Sequence, residues 1–355
     1  MLKIKISVGW NMPFKGTSPH NKQLSIFNFT NTKDNIYNNK KYYLNTEVEE
    51  PDYWFIIENT NSRQIEKEKI DKKNIIFLGS ETRYEPSYFL LDSKKEFLSQ
   101  FNVIYSPNYL NLENSINEPA FLNWKLRGDP FEINYKESDI EFYEKFQPEK
   151  NNLLSVYCTG KQINEIHKVR LDFVKKLKSI FGDDLHWYGD EIKTKDKIEG
   201  IGSYKYHLVL ENQLGHNSMT EKLFDSYLGN SYPIYAGATN TEDYFPNNSF
   251  TKINLNDFNG SINTIKECIS HNYYEENYNE LITAKKVVLD RFNLIKRIDT
   301  IIEEKLIQSD ANNLKTEISI YPKFHYEGKS KLSRFLFTLN KRLKRLTNYL
   351  EKFYS

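Results

Sequence analysis

The sequence predicts an α/β protein of two units, and three observations carry that reading. A length of 355 residues favours two domains of ordinary size over one. From residue 153 onward, apolar strand-like runs alternate with helix-length amphipathic stretches, the pattern of parallel βαβ units in a doubly wound sheet. Hydrophobic residues make up 39% and aromatic residues 15% of the chain, enough to fill real cores and to exclude wholesale disorder.

The elements follow in order. Leu2, Ile4, Ile6 and Val8 alternate with Lys3, Lys5 and Ser7, which predicts a half-buried strand rather than a signal peptide. Further strands are expected at residues 53–57, 75–79 and 102–105, joined by long Asn-, Lys- and Glu-rich connections. Residues 119–150 read as irregular, with a turn at Gly128-Asp129-Pro130, and the boundary falls near Pro148. Beyond it, residues 153–158 form an apolar strand, and Ile166, Val169, Phe173, Val174, Leu177 and Phe181 then share one face of a helix. Strands at 185–188 and 206–210 precede a helix over 220–228 closed by Gly229, and a strand at 232–235 follows. Residues 263–308 are mostly helical. The division expected is 1–148, 149–308 and a C-terminal tail, 309–355.

Several classes are excluded at this level. No run approaches the roughly 18 apolar residues of a membrane-spanning helix. Cys158 and Cys268 supply neither a disulfide framework nor a zinc site, which favours a reducing, cytoplasmic setting. The net charge of +1 names no nucleic-acid partner but hides an asymmetry. From Lys323 to the end, nine basic residues face two acidic ones, or +7, while the remainder holds 40 against 46, or −6.

The chemistry concentrates between residues 204 and 250. In open parallel sheets ligands bind beyond the C-terminal ends of the strands, and the Glu211-Asn212 pair leaves one such end. Ser218 and Glu221 have the spacing of a capping box, with Ser218 as N-cap. Lys222 lies in the first turn, where a cation opposes the macrodipole; a helix end with free N–H groups and a lysine suits an anion, and the plain alternative is a lysine turned to water. Arg170, in the first two turns after the 153–158 strand, can hold a phosphate through two parallel hydrogen bonds, or can be an ordinary helix-surface arginine. His167, one turn earlier, is a weaker candidate. In the first unit, Glu81 follows the 75–79 strand as a carboxylate able to take a proton from an attacking hydroxyl, with Glu85 competing for the role. No metal-site spacing appears, and Asp183-Asp184 falls in a turn.

These blocks resemble the α-1,3-fucosyltransferase family, glycosyltransferase family 10, in its bacterial form. The resemblance rests on Glu211-Asn212, on Thr220-Glu221-Lys222, on Pro233 and Gly237 at Pro-x-x-x-Gly spacing, and on Phe245, Pro246, Ser249 and Phe250. The 155–161 run, Arg170 and Lys197 ahead of Tyr204 also look like the family pattern; the likeness is specific over 153–255 and looser at 52–59, Glu81 and 103–107. It implies a GT-B architecture, two Rossmann-like domains facing a cleft. It also implies an inverting, metal-independent transfer of L-fucose from GDP-fucose to a hydroxyl, O3 of GlcNAc or glucose in a surface glycan, with an oligosaccharide or lipid-linked acceptor. By the same carry-over Arg170, Asn212, Glu221 and Lys222 hold the donor, joined by Ser218 and Lys197, and Glu81 is the base. No cofactor or metal is implied. One departure stands out: Ser218 occupies a position where the family usually has Tyr. It keeps open a sibling transferase for another nucleotide sugar, beside a non-catalytic nucleotide-sugar or glycan-binding protein.

In the tail, Leu332, Phe335, Leu336, Leu339, Leu343, Leu346, Leu350 and Phe353 recur at helical spacing, flanked by Lys331, Arg334, Lys341, Arg342, Lys344 and Arg345. Such a basic amphipathic helix suits an anionic membrane surface, placing the protein at the inner membrane face. A coiled-coil homodimer seam and packing onto the body are the alternatives.

Overall fold

The computed structural model describes residues 1–9, 24–61, 64–82, 92–128, 131, 136–162, 165–194, 196–308 and 314–327. The first half forms strands β1 (Leu2–Val8), β2 (Ile36–Tyr37), β3 (Lys40–Leu44), β4 (Tyr53–Ile57), β5 (Glu66–Ile70), β6 (Ile75–Leu78), β7 (Val103–Ser106) and β8 (Ser115–Asn117). Seven of them make one sheet in the order β2-β3-β1-β4-β6-β7-β8. Every pair in it is parallel except β2 with β3. The second half supplies β9 (Asn152–Tyr157), β10 (Leu185–Tyr188), β11 (Tyr204–Gly215), β12 (Tyr232–Ala238) and β13 (Thr251–Lys252). These form an all-parallel sheet in the order β10-β9-β11-β12-β13. Two α/β halves are thus present, each built on a largely parallel sheet.

The helices include α1 (Asp92–Leu98), α2 (Glu165–Phe181), α3 (Glu221–Leu228), α4 (Phe258–Ser270), α5 (Tyr278–Arg291), α6 (Leu294–Gln308) and α7 (Lys323–Glu327), beside a further helix at Asp139–Lys145 and short helical turns. One apolar cluster bridges the halves, joining Ile4, Phe55 and Trp124 to Val209, Leu223, Phe292 and Ile298. A second lies on the other face of the second sheet, around Leu154, Val174, Leu208 and Ile265. A third covers the outer face of the first sheet, with Trp54, Phe77, Phe97 and Ile320. The alternation of Tyr53, Phe55 and Ile57 inward with Trp54 and Ile56 outward is what a strand buried on both faces requires.

Two expectations are corrected. The strand β1 is not half-buried: Lys5 and Ser7 are 4% and 0% exposed. Strand β5, paired antiparallel with β14 (Thr316–Ile320), lies over that face. Lys5 reaches the carboxylates of Glu66 and Glu68, and Ser7 Oγ donates to Glu66 and accepts from Trp54 Nε1. The chain beyond residue 309 is also not wholly a tail, because β14 and α7 join the first half. Tyr321 exchanges hydrogen bonds with the Gln100 side chain, and Tyr326 packs edge-on against Phe97. Helix α6 likewise returns to the first sheet, where Asp299 pairs with Lys40 at 2.8 Å and Arg297 donates to the carbonyls of Pro119 and Ala120. The basic amphipathic stretch 332–353 and the Gly128-Asp129-Pro130 turn beyond Gly128 lie outside the described residues. Among the described residues no helix is long and apolar enough to cross a membrane.

Candidate functional site

Strand β11 sets the site. Its ladder with β12 is regular to Leu210 and resumes only at Gly215 opposite Ala238, so the intervening residues bulge out at the C-terminal edge. Glu211, fully buried, turns back and accepts the Thr220 N–H at 2.8 Å and the Thr220 hydroxyl at 2.6 Å. Gly237 makes room for it: a Cβ there would sit 2.6 Å from Glu211 Cγ and 2.1 Å from the Tyr235 hydroxyl. Thr220 is the N-cap of α3, extended at φ −130° and ψ −174°, with Oγ1 accepting from Lys222 N–H. The expected Ser218 capping box is therefore not formed. Ser218 lies two residues too early, its N–H donating to Gly215 and its carbonyl accepting from the Tyr235 hydroxyl.

Around this cap the structure gathers the cations. Lys222 does not point to water; its ammonium lies 3.0 Å from Thr220 Oγ1, 3.3 Å from Glu211 and 3.4 Å from Glu221. Burial alone would raise the Glu221 carboxyl, but the ammonium groups of Lys222, Lys197 and Lys125 hold it well below the carboxylate range. Burial would likewise lower Lys222, and Glu221 and Glu211 hold it above its ordinary value. Lys197 donates to Asp225 at 2.8 Å and stands 3.9 Å from Glu221. Asp225, fully buried in α3, also accepts the Lys125 N–H at 2.8 Å, tying the helix to the first half.

Arg170 differs from these lysines. It is 5% exposed, its Nη1 donates to the neutral Asn212 Oδ1, and its Nε is buried without a partner. Burial pulls its pKa down, and Cys158, Glu211 and Glu221 offset that only in part. His167 is also pushed down, by burial and then by Arg170, Lys222 and Lys161, which marks this corner as electropositive. Of the six residues read from the sequence as donor-binding, Lys197, Glu221 and Lys222 thus share one set of ion pairs, Arg170 and Asn212 bond each other at the residue next to Glu211, and Ser218 meets Tyr235.

Glu81 lies on the other half. It is exposed, just past β6, with its N–H donating to Glu58 at 2.9 Å and its carbonyl accepting from Asn108 at 2.8 Å. Glu85 is outside the described residues. The two halves meet close by. Asn117, last in β8, accepts from Asn217 Nδ2 at 2.8 Å, in the loop between β11 and α3. Gly79, Ser106 and Asn117 stand level across β6, β7 and β8. Two strand spacings of about 4.8 Å therefore put the Glu81 loop roughly 10 Å along the edge from that bridge. The C-terminal edges of the two sheets thus meet at the Asn117–Asn217 contact. Among the described residues no group of three His, Cys, Asp or Glu is placed to hold a metal ion.

The sequence reading missed four polar residues here. Glu211 appeared only as a strand-end marker, and Asp225 sits inside an apolar helix pattern with no outward sign of its partners. Glu58 leaves β4 as Glu81 leaves β6, a signal that could have found it. Lys323 pairs with Glu58 across 265 positions, which no local pattern reveals.

Parallel strands with charged side chains at their C-terminal edge define an α/β protein of the class that binds its ligand beyond the strand ends. Residues 148–285 match the family described as glycosyltransferase family 10 (fucosyltransferase) C-term. A 74-residue stretch is 35% identical to the mouse (Mus musculus) 4-galactosyl-N-acetylglucosaminide 3-alpha-L-fucosyltransferase 9, covering 20% of each chain. A 79-residue stretch is 33% identical to the alpha-(1,3)-fucosyltransferase FucT of Helicobacter pylori, covering 22% of this chain and 16% of that one. The match thus spans about a fifth or less of these relatives. Among solved structures, an alpha1,3-fucosyltransferase aligns at a TM-score of 0.48 and 19% identity over 78% of this chain and 80% of its own. Another, with GDP-fucose, aligns at 0.45 and 19% over 81% and 90%.

Proposed function

We propose that the protein transfers L-fucose from GDP-fucose to a sugar hydroxyl, with inversion and without a metal ion. The observation that carries this reading is Arg170, a buried guanidinium with a neutral partner and an unpartnered Nε, beside the N-terminus of a helix. Buried charge of this kind is costly unless an anion completes it, and a nucleoside diphosphate supplies one. The family match and the fucosyltransferases among the relatives direct the choice of sugar.

In this reading the acceptor oxygen attacks the anomeric carbon as its bond to the diphosphate oxygen breaks. The acceptor proton passes to Glu81, and negative charge grows on the departing GDP. Arg170, Lys222 and the α3 N–H groups stabilise that charge, an effect of the kind that contributes about 3 kcal/mol per preorganised donor. Asn212 orients Arg170. Glu221, held ionised, faces the positive charge that develops on the sugar ring. Ser218 and Lys197 complete the donor side, the first near the sugar and the second through Glu221. The acceptor is O3 of GlcNAc or glucose in an oligosaccharide or lipid-linked surface glycan.

Calorimetric titration with GDP, GDP-fucose, GDP-mannose and UDP-galactose, without divalent metal, tests the donor. Binding of GDP and GDP-fucose alone supports the reading. Preference for another donor moves the function to a sibling transferase at the Ser218 position, and no binding at all would sink it. Glu81→Gln should lower turnover by at least about 100-fold while GDP-fucose still binds, measured by single-turnover kinetics beside calorimetry. Unchanged turnover would pass the base role to another carboxylate.

A further inference from the structure

We propose that Glu58 is a positioning residue for the loop bearing Glu81, and that Lys323, brought in by the C-terminal segment, locks it there. The proposal rests on Glu81 as the base.

Glu58 ends β4 with a left-handed backbone, φ +62°, a conformation that persists in a side-chain-bearing residue only where its surroundings enforce it. Its N–H donates to Leu78 of β6 at 3.1 Å, so the turn is fixed to the strand that delivers Glu81. From there Oε1 accepts two consecutive backbone N–H groups, Ser80 at 2.5 Å and Glu81 at 2.9 Å. Oε2 takes the Lys323 ammonium at 2.7 Å. The carboxylate is thereby filled by the protein itself, which makes it a holder rather than a base. Burial would raise its pKa, yet Lys323 and the two amides keep it ionised.

Lys323 is itself well anchored. Its backbone N–H donates to Asn59 Oδ1 at 3.1 Å, and its ammonium sits 5.7 Å over Phe77 and 5.6 Å over Phe97. It opens α7, directly after β14, which is zipped to β5 over five residue pairs. On the far side Asn108 Nδ2 grips the Glu81 carbonyl at 2.8 Å. The Glu81 peptide is held at both its N–H and its C=O, while its side chain faces solvent. A misplacement of about 1 Å in a catalytic group can cost about 100-fold in rate, so such a clamp bears on turnover.

The test uses Lys323→Met, Glu58→Gln and the double variant in the full chain, with Lys323→Arg as the conservative control. Hydrogen exchange of the peptide spanning residues 76–82 is read beside kcat and the KM for GDP-fucose. Either single variant should speed exchange there tenfold or more, leave the 208–222 peptide unchanged, and lower kcat about 10- to 100-fold with KM within twofold. The double variant should be no worse than the more damaging single one, since both break one contact, and Lys323→Arg should stay near wild type. Unchanged exchange, exchange that rises equally across the chain, or a shift in KM alone would overturn the clamp. A wild-type chain that transfers no fucose would instead overturn the base reading, and the exchange data would then decide the clamp by themselves.

Discussion

Arg170 is buried and Lys197 partly exposed, and the two cations face different partners, so substitution should separate them. Arg170 meets a neutral amide, so it contributes little to folding and much to an incoming anion. Arg170→Lys keeps the charge and loses the planar fork, and should weaken GDP binding about 10- to 100-fold by calorimetry with almost no change in unfolding free energy. Lys197 instead compensates Asp225, whose carboxyl burial pushes up even against the opposing pull of Lys197. Lys197→Met strands that carboxylate and should destabilise the fold by about 3–5 kcal/mol in urea unfolding, with Asp225→Asn in the same chain restoring part of the loss. An unfolding free energy untouched by Lys197→Met would place its role with the donor alone. The sequence marks both residues as cations near a strand end. It cannot say which one faces a carboxylate, because Asp225 looks like any polar residue in an amphipathic helix.

At the scale of elements, the strand-to-helix connection between β11 and α3 acts as one device: the Glu211 carboxylate orders Thr220, and Thr220 orders the first turn. Thr220→Val removes the cap and leaves Glu211 short of the hydroxyl partner, so a loss of about 1–2 kcal/mol is expected, with weaker GDP binding beside it. The neighbouring strands hold a second buried group. His207 of β11 shares a hydrogen bond of 2.7 Å with Ser155 of β9, and burial, then Lys197 and Lys150, push its pKa down to about 3. The unfolded chain takes up that proton near pH 6.5 and the folded chain does not. The stability His207 contributes is therefore complete above about pH 6.5 and is lost as pH falls towards 3. His207→Gln should shrink the difference in unfolding free energy between pH 7 and pH 4.5 by about 2–3 kcal/mol. The second sheet was legible because its strands are apolar runs bounded by glycine and its helices carry one apolar face, as at Phe173, Val174 and Leu177. The first sheet was half legible. Strand β3 opens on Lys40-Lys41 and β5 alternates Glu with Lys, and they become strands only because β1 and β14 pair with them.

Across the whole molecule, residues 314–327 return to the first half after the second sheet. Lys323 reaches Glu58, and α6 crosses back to Asn38 and Lys40, contacts more than 250 positions apart that local sequence pattern cannot announce. This geometry changes how the basic amphipathic stretch at 332–353 should be tested, since cutting the chain after Tyr321 would also remove Lys323 from the loop it holds. We propose that this stretch lies on an anionic membrane and leaves the β14–α7 segment in place, bringing the cleft towards lipid-linked acceptors at the inner membrane face. Each Lys or Arg near such a surface contributes about 1 kcal/mol. Replacing Lys341, Arg342, Lys344 and Arg345 by Gln in the full chain should therefore weaken co-sedimentation with vesicles of phosphatidylserine and phosphatidylcholine by at least about 100-fold, and raised salt should do the same to the wild type. Turnover on a soluble acceptor should not change, because the variant leaves Lys323, Glu58 and Glu81 untouched. Binding that survives both the substitutions and the salt would remove the membrane from the scheme, and a concentration-dependent change in sedimentation coefficient would then assign the apolar stripe to a second copy of the chain.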